Sequence, residues 1–363
     1  MVDPQALFNR CTNRLPGHGV QQSIAESLRE IADSLDGSEG PDVYGVGDYL
    51  EAFEAEVAAQ FGKPAAVFMP SGTMAQQIAL RVYCDQTRNY TVAMHPSAHL
   101  EFAEHMGYQF LHNIKRLQFG GPEFIRDRLL TLEDFLALGA VPGVIILELP
   151  ARPLGGLLPA WQDLVDISDW ARAKGIPIHL DGARIWQCQS FYQKTYAEIA
   201  ALFDSIYVSF YKDLGGLAGC MLMGATDFIQ QSRVWQRRHG GNLYTQAPFV
   251  AAARLGLRRR LPMMAGWVTR AREIASRLAA FDQVIVNPNP PHVNLFQLYL
   301  KGDPVALTQR HHEIAAATGT YLFHRLGPAP IPGFAMTEMH IWENASQLDL
   351  DCLAPFMTEL LRP

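Results

Sequence analysis

A lysine between an apolar segment and a glycine-rich turn is the first residue whose position suggests chemistry. Lys212 lies in the stretch Ser209–Gly216, directly after the apolar run 205–210. Partial burial lowers the pKa of an amine and makes it a better nucleophile toward a carbonyl carbon. The adjacent Asp213 counts against this role, because a neighbouring carboxylate raises the pKa of an amine. We nevertheless expect Lys212 to be a nucleophile rather than a solubilising surface residue.

A carboxylate occupies a similar place one strand earlier. Asp181 follows the apolar segment 176–180 and begins the motif Asp-Gly-Ala-Arg, which ends at Arg184. Ligands of open α/β sheets bind beyond the carboxyl ends of the strands, where this acid could pair with a protonated ring nitrogen. A helix N-cap that forms a salt bridge with Arg184 is the structural alternative. The residues alone leave both interpretations open.

A Ser-Gly-Thr turn, Ser71–Thr73, lies between an apolar segment and a stretch with helical periodicity. Backbone N–H groups at a helix start, together with two hydroxyls, suit a bound phosphate. The same residues would also form an ordinary helix N-cap. Taken alone, this turn therefore does not establish a phosphate site.

The three stretches together match the needs of pyridoxal 5'-phosphate. This cofactor requires a lysine for its Schiff base, an acid at its pyridine nitrogen and a cradle for its phosphate. The separation between Asp181 and Lys212 accommodates one helix and one strand, so both can lie at neighbouring strand ends. We therefore expect pyridoxal phosphate as the cofactor.

Alternating apolar runs and helical patterns must position these residues. They predict an α/β fold with a mostly parallel, doubly wound sheet covered on both faces. The predicted strands share short apolar runs bounded by turn residues: 65–69, 141–149, 176–180, 205–210 and 218–224. The predicted helices share apolar residues at helical spacing: 49–61, 74–84 and 164–174.

The two ends of the chain have sequence patterns that differ from that of the middle. Residues 1–40 are predicted to be an N-terminal arm with one amphipathic helix at 21–35. After residue 247, long helical patterns alternate with short strands, as in a smaller α+β domain. The expected domains are thus the arm 1–40, a cofactor-binding domain 41–247 and a small domain 248–363.

Composition narrows the functional class. Hydrophobic residues make up 48% of the 363 residues, charged residues make up 18%, and the net charge is −6. This balance argues against a disordered chain and against a nucleic-acid binder, which usually carries a basic surface. The five cysteines are scattered, and we see neither a signal peptide nor an apolar stretch long enough to span a bilayer. We expect a cytoplasmic enzyme that binds neither nucleic acid nor membrane.

In these motifs, and in their order, the sequence resembles the threonine aldolase and β-eliminating lyase family of fold-type I pyridoxal phosphate enzymes. The resemblance implies an aspartate aminotransferase-like large domain followed by a small C-terminal domain. It covers roughly residues 42–245, and its matching stretches are Asp42–Gly45, Phe61–Gln77, His99, Glu104, Gly107, Gly155-Gly156, His179–Arg184 and Ser209–Gly219.

The resemblance also implies a role for each matching residue. Lys212 would carry the cofactor, Asp181 would pair with its pyridine nitrogen, and His99 would stack on its ring. Arg184 would reach the cofactor's phenolic oxygen or the substrate carboxylate, and Tyr44 would lie in the pocket. The cofactor phosphate would be held by hydroxyl and glycine residues of two turns: Ser71, Gly72, Thr73 and Ser209.

Three departures from the family pattern affect the expected site. Where the family has an active-site histidine, a candidate base for the substrate hydroxyl, this chain has Ala151. A phosphate-side arginine is absent, and Tyr244 is the candidate substitute across a subunit boundary. Met336 stands where the family has the arginine that binds the substrate carboxylate, and a methionine cannot hold a carboxylate bidentately.

Other residues are candidates to replace these functions. Arg152, Arg184 or Arg325 could take over the substrate carboxylate. The N-terminal stretch Asn13–Gly19 differs from the family's usual opening, and its His18 is either a pocket residue or a loop residue. A metal cluster of His95, His99 and His105 is an alternative, but Pro96 interrupts the helical spacing, and we expect no metal.

The resemblance implies a retro-aldol lyase that cleaves a β-hydroxy-α-amino acid into glycine and an aldehyde. Because of Ala151 and Met336, we expect L-threonine itself to be a poor substrate. The alternatives are β-elimination on a β-substituted amino acid and a non-catalytic binding protein of the same fold. The family pattern also implies a homodimer or homotetramer with shared active sites.

Overall fold

The computed structural model describes residues 3–20, 22–119 and 127–362. The chain divides into two compact units. Unit 1 consists of Met1–Glu26, Leu154–Leu157 and Met263–Pro363, and unit 2 consists of Ser27–Pro153 and Leu158–Pro262. The domain boundaries expected from the sequence, 1–40, 41–247 and 248–363, stay a prediction.

The described residues form helices and strands in alternation along much of the chain. The helices are α1 Pro4–Arg10, α2 Ile24–Asp33, α3 Asp48–Gln60, α4 Gly72–Thr87, α5 His99–Phe102, α6 Gly107–His112, α7 Leu132–Leu136, α8 Trp161–Ala173, α9 Gln189–Tyr192, α10 Tyr196–Ala200, α11 Thr226–Arg238, α12 Ala247–Arg260, α13 Met264–Leu278, α14 Pro304–Thr318, α15 Glu343–Gln347 and α16 Leu353–Leu360. The strands are β1 Asn13–Arg14, β2 Ala65–Met69, β3 Thr91–Ala93, β4 Lys115–Arg116, β5 Val144–Glu148, β6 Ile178–Asp181, β7 Ser205–Ser209, β8 Cys220–Gly224, β9 Val284–Asn287, β10 Leu295–Lys301, β11 Thr320–Tyr321, β12 Gly327–Pro328 and β13 Phe334–His340.

Unit 2 contains a seven-stranded sheet in the order β2-β8-β7-β6-β5-β3-β4. The five strands from β7 to β4 are parallel, whereas β8 is antiparallel to both of its neighbours. Parallel strands buried on both faces have continuous apolar sequences, as β5 and β7 do. The mostly parallel sheet expected from the sequence is confirmed, and the carboxyl ends of β5, β6 and β7 lie side by side.

Helix α4 begins directly after β2, and its start is fixed by two residues. Ser71 is the N-cap, and its hydroxyl accepts a hydrogen bond from the Met74 amide at 3.3 Å. Gly72 must be a glycine, because a Cβ atom there would lie 2.0 Å from the Tyr207 hydroxyl. The first turn of α4 is therefore packed closely against a residue of β7.

Unit 1 contains a four-stranded antiparallel sheet in the order β12-β13-β10-β9. Residues of α13, α14 and α16 form a buried apolar cluster with this sheet. The α+β character expected for the C-terminal part of the chain is therefore confirmed. The N-terminal segment contributes β1, which pairs with β11 in parallel.

Several element boundaries differ from the sequence prediction. The strand predicted at 141–149 is shorter, because Pro142 and Gly143 precede β5. The helix predicted at 21–35 is found at Ile24–Asp33, and Gln21 lies outside the described residues. In the described part of the chain, no helix is both long enough and apolar enough to span a membrane.

Candidate active site

Two carboxylates lie together at the carboxyl edge of the parallel sheet. Asp181 ends β6 and Glu148 ends β5, and their Cα atoms are register partners. Asp181 is buried and accepts hydrogen bonds from the side-chain amide of Gln76 and from the Ala183 N–H, the latter at 3.1 Å. Hydrogen bonds to a carboxylate favour its ionised form. Two hydrogen bonds thus hold the Asp181 carboxyl group at the sheet edge.

Glu148 is a site residue to which the sequence analysis assigned no role. Burial raises its pKa above the ordinary value, and the charge of Asp181 adds to this effect. The Arg152 N–H donates to Glu148 Oε1 at 3.3 Å and lowers the pKa of Glu148. His99 and Lys212 also lower it, but by less than burial raises it. The available signal was its place as the last residue of a strand, the same place that identified Asp181.

Lys212 follows β7 after two aromatic residues. Burial lowers the pKa of its amine, and the neighbouring Arg184 guanidinium lowers it further. The carboxylates of Asp181, Glu148 and Asp213 act in the opposite direction and are outweighed. Asp213 does raise the pKa of Lys212, as expected from its position, but burial dominates. A lowered pKa leaves more of the nucleophilic free amine at neutral pH.

Arg184 brings a second cation to the site. Its Nε atom is buried and has no hydrogen-bond partner within the described residues. An unsatisfied guanidinium nitrogen beside Lys212 and Asp181 is suited to an anionic oxygen of a ligand. The structural alternative from the sequence, an Asp181 N-cap bonded to Arg184, is not what the hydrogen bonds of Asp181 show.

His99 begins α5 and is oriented by an acid. Its Nδ1 lies 3.0 Å from Glu104 Oε1, and the Glu104 side chain is buried. An imidazole that donates Nδ1–H to a carboxylate presents Nε2 as an acceptor. His99 is also among the groups that affect the pKa of Glu148, so the two side chains belong to one site.

The residues expected around the phosphate form two groups. Ser71, Gly72 and Thr73 form the N-terminal turn of α4, where the helix presents its N–H groups. Tyr207 and Tyr211 lie beside this turn, with their hydroxyls 3.3 Å apart. Ser209 uses its hydroxyl to donate to the Ala183 carbonyl at 2.7 Å, so its role toward a phosphate stays a prediction.

Several expected site residues lie on the surface of unit 2 or belong to unit 1. Tyr44 and Tyr244 form an edge-to-face ring contact at 5.4 Å, and they are 51% and 65% exposed. His18 belongs to unit 1, where it stacks on Trp342 at 4.7 Å. Arg325 and Met336 are also residues of unit 1. The substrate roles of Tyr44, His18, Arg152 and Arg325 stay predictions.

A small cavity of about 40 Å³ lies beside the two carboxylates. Glu148, Asp181 and Ala151 contribute to its wall, and the remaining lining is predominantly apolar. The apolar side chains that line it come from four parts of unit 2: Leu100, Leu129, Leu130, Ile146, Leu147, Leu149, Leu164 and Ile167. Ala151 is therefore a small wall residue at the position where the family has a histidine.

Pyridoxal phosphate fits the residues of this site. Lys212 supplies an amine of lowered pKa, and Asp181 supplies a carboxylate for the ring nitrogen. The first turn of α4 supplies N–H groups for a phosphate, at a glycine that leaves no room for a side chain. The unpartnered Arg184 Nε supplies a donor for an anionic oxygen.

Comparisons with known proteins agree with this arrangement. The family model of the β-eliminating lyases matches residues 26–301. A solved structure from Listeria monocytogenes EGD-E, assigned as an L-allo-threonine aldolase, is 35% identical with a TM-score of 0.92, and the match covers 99% of this chain and 98% of that one.

Two curated relatives are similar over a shorter length. Aldolase vrtJ from Penicillium aethiopicum is 30% identical over 65% of this chain and 60% of its own length. The low specificity L-threonine aldolase of Escherichia coli O157:H7 is 30% identical over 59% of this chain and 64% of its own. The matched regions thus span less than two thirds of either relative. From the family match and the fitting site, the chain belongs to the β-eliminating lyase family of pyridoxal phosphate enzymes.

Proposed function

We propose that this chain catalyses the retro-aldol cleavage of β-hydroxy-α-amino acids to glycine and an aldehyde. The observation that carries the proposal is the grouping of Lys212, Asp181 and Arg184 at one sheet edge. Arg184 lowers the pKa of Lys212 there, and Asp181 raises it. The similarity to a structure assigned as an L-allo-threonine aldolase and to a low specificity L-threonine aldolase supports it. Pyridoxal phosphate, when bound, supplies the electron sink for the bond that breaks at Cα.

The chain's own residues divide the remaining work. Lys212 would hold the cofactor, Asp181 would keep a proton at its ring nitrogen, and Arg184 would bind an anionic oxygen of cofactor or substrate. His99 would lie at the cofactor ring and would accept the proton of the substrate hydroxyl at Nε2, because its Nδ1 faces Glu104. This assignment replaces the family histidine that is absent at Ala151.

We also propose that the preferred substrates carry β-substituents larger than the methyl group of threonine. The cavity beside Glu148 is apolar, and Ala151 leaves space where a histidine side chain would stand. Burial of apolar surface against such a wall is favourable, so a larger apolar β-substituent should bind more tightly. The methyl group of L-threonine buries less apolar surface against this wall, so L-threonine should be the poorer substrate.

The proposal is tested by separating the products of a panel of β-hydroxy amino acids. Glycine with an aldehyde indicates Cα–Cβ cleavage, whereas a keto acid with ammonia indicates β-elimination. The Lys212→Ala variant should lose both the visible absorption of bound cofactor and turnover, whereas the surface variant Lys194→Ala should keep both. Keto acid formation without glycine would overturn the proposal, and so would a spectrum that no amino acid changes.

We further propose that the enzyme is a homodimer or homotetramer of the cytoplasm with shared active sites. The exposed pair Tyr44 and Tyr244 leaves two aromatic rings on the surface of unit 2. All five cysteines are free, as suits a reducing compartment. Sedimentation of the parent and of Tyr244→Ser tests this assembly, since a monomeric parent would contradict it.

A further inference from the structure

A continuous path of buried hydrogen bonds leads from Asp181 into the interior of unit 2. The Gln76 side-chain nitrogen donates to Asp181 Oδ2, and Gln76 Oε1 lies 3.1 Å from His179 Nε2. His179 Nδ1 lies 2.7 Å from Ser205 Oγ. Gln76, His179 and Ser205 are each 0% exposed, so bulk water does not compete for these bonds.

The fold brings these four side chains together through simple geometry. His179 and Asp181 are two residues apart on β6 and therefore point to the same face of the sheet. Ser205 is the register partner of His179 on the neighbouring strand β7. Helix α4 contacts both strands and carries Gln76 over this face. The path thus depends on elements that already position Asp181.

The chemistry of each group fixes the direction of the path. An ionised carboxylate only accepts hydrogen bonds, so the Gln76 amide must point its NH2 group at Asp181 and its oxygen at His179. That oxygen can only accept, and so His179 must carry its proton on Nε2. Burial lowers the pKa of His179 to about 4, so the ring is neutral at neutral pH and holds one proton. Its Nδ1 is then an acceptor for the Ser205 hydroxyl.

We propose that Gln76 and His179 are positioning residues which, with Ser205, hold the Asp181 carboxylate ionised and aimed at the ring nitrogen of the cofactor. Every donor along the path points toward Asp181. A proton on Asp181 Oδ2 would meet the Gln76 N–H group, which can only donate. The path therefore disfavours transfer of the ring proton to Asp181 and keeps that proton on the cofactor nitrogen.

The first test needs no substitution and no cofactor. Nitrogen NMR of the histidine-labelled parent protein reports which ring nitrogen of His179 carries the proton. We expect a neutral ring protonated at Nε2 at neutral pH. Protonation at Nδ1 would reverse the direction of the hydrogen bonds that His179 makes. A charged ring, protonated at both nitrogens, could not accept the hydrogen bond from Ser205. Either result would overturn the proposal even if every variant failed to fold.

The second test follows the ring nitrogen of isotopically labelled pyridoxal phosphate bound to variants. Gln76→Leu removes the hydrogen-bond donor to Asp181. The resonance of the cofactor ring nitrogen should then move from the protonated toward the neutral position, and the cofactor should bind roughly tenfold more weakly. His179→Phe leaves the amide in place but frees it to rotate, so it should cause a smaller shift in the same direction. The double variant should shift no further than Gln76→Leu alone.

The matched control is the next residue of the same helix. Gln77 is also buried, but Asp181 is not among its hydrogen-bond partners in the described part of the chain. Gln77→Leu should leave the ring-nitrogen resonance in place, even if the protein is destabilised. An unmoved resonance in Gln76→Leu, or an equal shift in Gln77→Leu, would show that the path has no role in holding the ring proton.

Discussion

Glu148 and Asp181 are register partners at the ends of β5 and β6, so a buried carboxyl group and a half-buried one share one edge of the sheet. Two neighbouring carboxylates cannot both ionise without repulsion, and the group with fewer hydrogen-bond donors holds the proton more tightly. Asp181 accepts from Gln76 and Ala183, whereas Glu148 accepts from the Arg152 N–H. Glu148 is thus the carboxyl group of the pair with the raised pKa.

This relationship predicts a pH-dependent stability. Because the pKa of Glu148 is raised, the folded protein holds a proton there that the unfolded chain has already lost. The free energy of unfolding should therefore fall as pH rises from the ordinary carboxyl pKa through the raised value. Glu148→Gln removes this decline, which urea unfolding of the cofactor-free protein at several pH values would measure. Glu313→Gln, at an exposed site, should keep the slope of the parent, and a Glu148→Gln profile parallel to the parent would contradict the assignment.

Much of the fold and of the candidate site is predictable from local sequence. The strand predicted at 65–69 is found as β2, and the strand ends before Lys212 and at Asp181 lie within a residue or two of their predicted places. These strands are apolar runs bounded by turn residues, and this signal needs no information about neighbours. The short strands β3 and β4 carry too few residues to give a pattern and were not predicted.

The partners of Asp181 could not be predicted in the same way. Its contact with Glu148 depends on the register of two strands separated by a helix, and its contact with Gln76 depends on how α4 packs on the sheet. Pairing and packing are properties of the assembled unit, and a single sequence does not encode them in any local pattern. Glu148 and Gln76 therefore become visible only in three dimensions.

Asp213 provides a test of the charge balance around Lys212. Its carboxylate is one of three that raise the pKa of the lysine amine, against the larger effect of burial. Asp213→Asn removes one opposing charge, so the pKa of Lys212 should fall further. The pH profile for attachment of pyridoxal phosphate to the cofactor-free protein should then move to lower pH. Asp227→Asn, an exposed substitution at the start of α11, should leave the profile unchanged, and a shift of Asp213→Asn to higher pH would refute this balance.

Gly72 is predicted to tolerate no side chain. A Cβ atom would lie 2.0 Å from the Tyr207 hydroxyl and 2.3 Å from the ring carbon that bears it, so α4 or Tyr207 would have to move. Gly72→Ala should lower the free energy of unfolding by about 1–3 kcal/mol and weaken cofactor binding. Gly139→Ala, which meets nothing within 4 Å, is the control in thermal unfolding. Equal melting temperatures for the two variants would show that the contact at Gly72 is not tight.

His99 is predicted to contribute a proton acceptor as well as a ring contact. His99→Phe keeps a flat ring but removes both nitrogens, so the cofactor should remain bound while turnover falls roughly 10²-fold or more. Absorbance of the bound cofactor and steady-state kinetics separate the two effects. A variant with full turnover would limit His99 to stacking, and His105→Asn, at an exposed position, serves as the histidine control.

Ala151 is predicted to set the size of the substrate side chain. Its methyl group lines the apolar cavity beside Glu148, so Ala151→Leu should reduce the space without adding a polar group. The ratio of kcat/KM for a bulky β-hydroxy amino acid to kcat/KM for threonine should fall by roughly 10-fold or more. This is the discrimination that a methylene group or more typically provides in an apolar pocket. Leu129→Met, which changes shape but little volume at another wall of the cavity, should leave the ratio nearly constant. An unchanged ratio in Ala151→Leu would mean that the substrate side chain lies outside this cavity.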